Sequence, residues 1–174
     1  MATREERKQY AQDLAAGRLF EDFAAEVLYD HGLVVGLYRS RRYQFEVGES
    51  RAGVEFKNDR KWRETGNLFI EIRARASADK EFHPSGPFRN DNALLLAIGD
   101  SQKFWLLSMR KLLFMEQDLP HIDCYTGRGG TRFQSSEGVL LGVDLADLEA
   151  IAIFEQDENK FCGDCGRVKR KGVQ

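Results

Sequence analysis

The chain has 174 residues, 42% hydrophobic and 31% charged, with a formal net charge of −2, a composition that suits one folded domain and excludes an intrinsically disordered polymer. No apolar run approaches the ~20 residues of a membrane span, and the opening MATREERKQY is charged where a signal peptide is apolar, so no membrane partner and a cytoplasmic location are expected. Three cysteines make an odd count that speaks against a disulfide scaffold.

In chain order, the first 31 residues read as helix with a break near Gly17, and Leu19, Phe20, Phe23, Ala24, Val27 and Leu28 form a stripe at the 3.6-residue period. Gly32 ends it. Short β-like runs follow: LVVGLYRS, RYQFEV, GVEFKND and NLFIEIRARA, a β-meander after a helix. Ser77 to Asp91 is polar and holds Pro84 and Pro87, so it reads as an exposed loop. ALLLAIG and KFWLLSM flank Gly99–Gln102 as a hairpin. Arg110 to Gln117 reads as helix, Gly127 to Gly138 as a glycine-rich loop, Val139 to Val143 as a strand, and Asp144 caps a helical turn through Leu148. The expected organisation is an α+β fold, an N-terminal helix followed by a β-meander and a mixed central sheet. One domain spans residues 1–160, and a Cys-containing basic tail spans residues 161–174.

Chemistry concentrates in two strands. Alternation puts Phe69, Glu71, Arg73 and Arg75 on one face of NLFIEIRAR, and Glu55, Lys57 and Asp59 on one face of the preceding strand. If the two strands are hairpin neighbours, Glu55 and Glu71 lie side by side, with Lys57 and Arg73 close by. Two adjacent carboxylates repel unless a cation such as Mg²⁺ offsets the cost; such an ion, with oxygen ligands at about 2.1 Å and water in its open positions, can polarise a phosphate. The competing reading is a pair of cross-strand salt bridges, Glu55 with Arg73 and Lys57 with Glu71.

The order of features resembles the PD-(D/E)XK nuclease superfamily, which includes Holliday junction resolvases and restriction and repair nucleases. GRLFEDFAAEVLYDHG looks like the resolvase-type first helix bearing Glu21, Gly53-Val54-Glu55 falls where that family places PD, and Ile70-Glu71-Ile72-Arg73 where it places (D/E)-X-K. The resemblance covers residues 17–76. It implies a restriction-endonuclease-like fold, Glu21, Glu55 and Glu71 as ligands of Mg²⁺ or Mn²⁺, and DNA as the partner, and it admits a homodimer. Two departures stand out: Val-Glu replaces Pro-Asp, and Arg73 stands where lysine is expected. An arginine stays protonated and orients water or stabilises charge rather than acting as a base, and Lys57 can supply the ammonium from the neighbouring strand. A second register is open, in which Glu55-Phe56-Lys57 is itself E-X-K and Glu46 is the first carboxylate. HPSGPFRNDN is similar to a stretch in microbial and phage proteins of the same superfamily, which brings Asp59, Arg89 and Asp91 towards the active face.

Residues 33–80 hold eleven basic and seven acidic side chains, whereas residues 1–32 hold four and seven and residues 81–174 eleven and fourteen, so positive charge is local. Arg60, Lys61, Trp62 and Arg63 in the turn between the acidic strands, and Arg39, Arg41 and Arg42 before them, are the expected nucleic-acid contacts, with Trp62 able to stack on an unpaired base. Cys162-Gly163-Asp164-Cys165 has zinc-knuckle spacing, and His121 with Cys124 can complete a structural Zn²⁺ set. The expected activity is metal-dependent hydrolysis of phosphodiester bonds in DNA. Its rival is a binding or inhibitory protein that keeps the fold without catalysis.

Overall fold

The first helix, α1 (Arg4–Asp30), runs 27 residues without interruption in the computed structural model, which describes residues 4–128 and 131–156, with the side chains of residues 6, 7, 41, 45, 127, 128 and 131 outside the description. The expected break at Gly17 is absent: glycine costs a helix about 1 kcal/mol relative to alanine, which neighbouring turns absorb. The burial stripe follows the sequence except at Leu19, since Phe23 and Val27 also pack against the core. Phe20, Ala24 and Leu28, spaced four apart, are buried, whereas Leu19 is 72% exposed. Gly32, at φ 88°, lets the Leu33 N–H reach back to the Leu28 carbonyl and close the helix.

Two runs expected as strands take other forms. Leu33, Val35 and Leu37 keep their alternation and pack on the helix-side core, but only Leu37 bridges another residue, Ser50. RYQFEV contributes the short helix α2 (Arg41–Glu46).

Among the described residues, eight strands build two four-stranded sheets. β1 (Val54–Asn58), β4 (Leu95–Gly99), β5 (Lys103–Ser108) and β8 (Ala152–Glu155) form the first in the order β1-β4-β5-β8, with β1 parallel to β4 and the other pairs antiparallel. β3 (His83–Pro84), β2 (Asn67–Ala74), β7 (Thr131–Gly142) and β6 (His121–Arg128) form an antiparallel second sheet in the order β3-β2-β7-β6. The fold is therefore α+β with one mixed sheet. The expected glycine-rich loop at 127–138 is instead largely strand β7. Gly138 serves close packing: a Cβ there would lie 2.4 Å from the Ile70 carbonyl oxygen and 2.5 Å from the Phe69 ring.

The first sheet is the middle layer. Its one face, with Val54, Phe56, Ala97, Phe104 and Leu106, packs on α1, where the Phe20 and Phe104 rings meet edge to face at 5.9 Å. Its other face, with Leu96, Ile98, Trp105 and Leu107, packs against Leu68, Ile70, Val139 and Leu141 of the second sheet. Helices α4 (Met109–Met115) and α5 (Val143–Glu149) add Met109, Leu112 and Ala146 to this core.

The meander expected for β1 and β2 is the main correction, because the two strands belong to different sheets. What separates them is α3 (Trp62–Thr65). The Trp62 ring stands edge-on to Trp105 at 5.1 Å, and its Nε1 donates to Asp100 at 3.1 Å. Arg63 donates twice to the same carboxylate, at 2.8 and 2.7 Å. Asp59 finishes the turn by accepting from the Lys61 and Phe69 amides at 3.0 and 2.9 Å.

Candidate active site

β1 is an edge strand, and its open edge is closed by side chains. Val54 N–H donates to Ser50 Oγ at 2.8 Å and Phe56 N–H to Glu49 Oε2 at 2.9 Å. This fixes the Glu49 carboxylate beside β1. On β1 itself Glu55 and Lys57 are paired in register with Leu96 and Ile98, so they point towards the space between the sheets while Val54 and Phe56 point to α1.

Glu55 is thereby inserted at the rim of an apolar core. It is 7% exposed, and its Oε2 is a buried oxygen without a hydrogen-bond partner. Burial, and next the charge of Glu49, push its carboxyl up to about 7, while Lys57 and Arg89 pull the other way. Burial also raises Glu49, against the pull of the Phe56 amide, Lys57 and Arg89. Glu21 on α1 is raised by burial and then by Glu49. Glu21, Glu49 and Glu55 are thus linked through Glu49, with Asp91 adding to the repulsion on Glu49 and Glu55, and Lys57 and Arg89 opposing it. Arg89 is held by Asp91 at 3.0 Å and by the Gln44 carbonyl at 2.8 Å.

Glu71 approaches from the second sheet. Glu55, Lys57, Phe69, Glu71, Gly86 and Pro87 border one narrow cleft, partly open to solvent, with a cavity volume of about 10 Å³. Ser85 Oγ donates to Glu71 Oε1 at 2.5 Å, and Lys57 Nζ lies 4.0 Å from that same oxygen. The structure brings together Glu55, Lys57 and Glu71 from different sheets, by a route the hairpin reading did not contain.

Other expected site residues stand elsewhere. A bulge between Glu71 and Arg73 shifts the β2–β7 register, and Arg73 donates to Glu137 at 2.7 Å instead of joining Glu71 and Glu55. Glu46, the first carboxylate of the second register, is exposed and paired with Arg42 at 3.0 Å. Asp59 and Asp91 are occupied by the turn amides and by Arg89. Trp62 and Arg63 both hydrogen-bond Asp100, which ties them to the turn that separates β1 from β2. Arg60 and Lys61 are exposed, and the Arg41 side chain lies outside the described residues. His121 and Cys124 are three apart on β6, which places them on opposite faces, and His121 contacts Glu116 at 3.1 Å and Glu137 at 3.7 Å. Cys162 and Cys165 lie outside the described residues.

Glu49 is the residue missed in the sequence. Its only signal is position, directly before Ser50 and six residues ahead of Glu55, and its role depends on an edge that only the folded sheet creates.

Among the described residues, no three acidic, histidine or cysteine side chains close on a common point. Mg²⁺ does not require such a cage, since it keeps several waters and is commonly held by one or two carboxylates. The unpartnered Glu55 Oε2 beside the Glu49 carboxylate fits that demand. Compared with protein-family models, with curated proteins and with solved structures, the chain matches none of them. Among the described residues no helix is long and apolar enough to cross a membrane.

Proposed function

We propose that the protein is a divalent-cation-dependent nuclease of the PD-(D/E)XK type, acting on phosphodiester bonds of DNA. The observation that carries the reading is Glu55: a buried carboxylate with a free oxygen, raised to about 7, next to Glu49 and two residues from Lys57. Perturbed acids in a cleft are where catalytic chemistry concentrates. Of the two registers open in the sequence, the geometry favours Glu55-Phe56-Lys57 as the E-X-K element, with Glu49 rather than Glu46 as the preceding carboxylate.

Glu55 Oε2 and Glu49 would hold the cation, and Glu21 adds negative charge behind them. A bound Mg²⁺ or Mn²⁺ supplies Lewis acidity towards the phosphate. Lys57 shares the Glu55 face and donates a hydrogen bond to the attacking water or to the charge that develops on phosphate. Arg89, a permanent cation fixed by Asp91, favours the ionised form of both glutamates. Arg60 and Lys61, exposed beyond the end of β1, are suited to backbone phosphates, and removing such a contact weakens binding evenly across sequences.

The test is cleavage of supercoiled, linear and single-stranded DNA with Mg²⁺ or Mn²⁺, comparing wild type with Glu55→Gln. Metal-dependent cutting that the variant loses supports the reading. Metal-independent DNA binding without cutting would replace it with a non-catalytic binding protein.

A further inference from the structure

We propose that Glu71 is a positioning residue: held by Ser85, its carboxylate fixes the Lys57 ammonium at the mouth of the cleft that contains Glu55, and it is not a cation ligand. The consequence for catalysis rests on the nuclease reading above. The placement itself rests on the architecture of β2.

Three features aim Glu71. The bulge separates Glu71 from Arg73, so the arginine turns to Glu137 on β7 while the glutamate reaches around the strand edge towards β1. The 83–88 segment is clamped to β2 at this point, with Ser85 N–H donating to the Ile72 carbonyl at 2.7 Å. Gly86 follows at φ 51°, and a Cβ there would lie 2.6 Å from the Glu71 carbonyl oxygen. The backbone that delivers the Ser85 hydroxyl is therefore in direct contact with the residue the hydroxyl restrains.

The same oxygen, Glu71 Oε1, receives the Ser85 hydroxyl and faces Lys57 Nζ. An ammonium at 4.0 Å competes with any divalent ion for that oxygen. Glu55 Oε2, in contrast, is unengaged. Lysine carries its charge on a flexible four-carbon stem, and the Lys57 side chain is 42% exposed. Without a restraint its ammonium would leave the cleft for water. Glu71 is the anion placed to prevent that.

The experiment compares wild type with Glu71→Gln, Ser85→Ala and Glu55→Gln in three readouts. Mn²⁺ affinity is taken by calorimetry, the acylation of Lys57 by an amine reagent is followed by mass spectrometry against exposed Lys61, and kcat and KM for DNA cleavage are measured with Mg²⁺. Glu71→Gln should leave Mn²⁺ affinity unchanged, raise Lys57 acylation relative to Lys61, and lower kcat by about tenfold to a hundredfold with KM unchanged. Ser85→Ala should move the same readouts less far. Glu55→Gln should weaken Mn²⁺ by about tenfold or more. Mn²⁺ affinity lost in Glu71→Gln as in Glu55→Gln would make Glu71 a ligand and overturn the proposal, and so would unchanged Lys57 acylation. A wild type that cuts nothing refutes the nuclease reading, while acylation and Mn²⁺ affinity still decide the role of Glu71.

Discussion

Replacing Glu55 by glutamine should stabilise the protein at alkaline pH, which is unusual for the loss of a charged residue. In the folded chain the Glu55 carboxyl is raised from 4.5 to about 7, by burial first and by Glu49 second. At about 1.4 kcal/mol per tenfold change in acidity, ionising it costs the native state about 3 kcal/mol. The unfolded chain releases this proton near 4.5 and the native chain only near 7, so the native state binds more protons between those values. Stability therefore falls as pH rises from about 4.5 to about 7 and is flat beyond. Glu55→Gln keeps the shape and removes the ionisation. Urea unfolding in EDTA should show variant and wild type nearly equal at pH 4.5, with the variant ahead by about 3 kcal/mol at pH 8. Excess Mg²⁺ should stabilise wild type at pH 8 more than it stabilises the variant, because the more tightly a ligand binds the native state, the more it stabilises it. A variant no more stable than wild type at pH 8 would refute the claim that Glu55 is an uncompensated buried acid.

Lys57→Ala should abolish metal-dependent cleavage, whereas Arg73→Ala, which loses a β2–β7 ion pair away from the cleft, should retain most of it; initial rates on supercoiled DNA compare them. Asp100→Asn should cost about 2 kcal/mol in chemical denaturation. Asp100 is 3% exposed, and although burial alone would raise its carboxyl, the Arg63, Gln102 and Lys103 hydrogen bonds hold it below the ordinary range. Gly86→Ala should lower stability by about 1–3 kcal/mol, from left-handed strain and the approach to Glu71, and calorimetric melting measures it.

Much of the fold was legible where the pattern is local. The four-residue spacing of Phe20, Ala24 and Leu28 marks α1, and alternating Leu68 and Ile70 mark the core face of β2. Legibility ended where partners are distant. RYQFEV is too short for its periodicity to distinguish α2 from a strand. The β2 bulge depends on Glu137 and Gly138, more than sixty residues away, so alternation carried past Glu71 put Arg73 on the wrong partner. Glycines around Gly138 resembled a loop because close packing and turning use the same residue.

The site was half legible for the same reason. Glu55, Lys57 and Glu71 could be marked as carboxylates and a cation at strand positions, and they do share a cleft. Their route to it could not be read, since it passes through a sheet-to-sheet step held by Trp62, Arg63 and Asp100. Asp100 is nearly forty residues from that turn, and charged turn residues in isolation look like phosphate contacts. Glu49 was hidden because its importance comes from the bare edge of β1.

Whether Glu55 and Glu49 hold a divalent cation is decided by Mn²⁺ binding followed by electron paramagnetic resonance at pH 8 in wild type and Glu55→Gln. Mn²⁺ should bind wild type, bind the variant about tenfold or more weakly, and fade from wild type as pH falls through 7. Equal binding in the two proteins, or none in either, would contradict a cation site at Glu55 and Glu49.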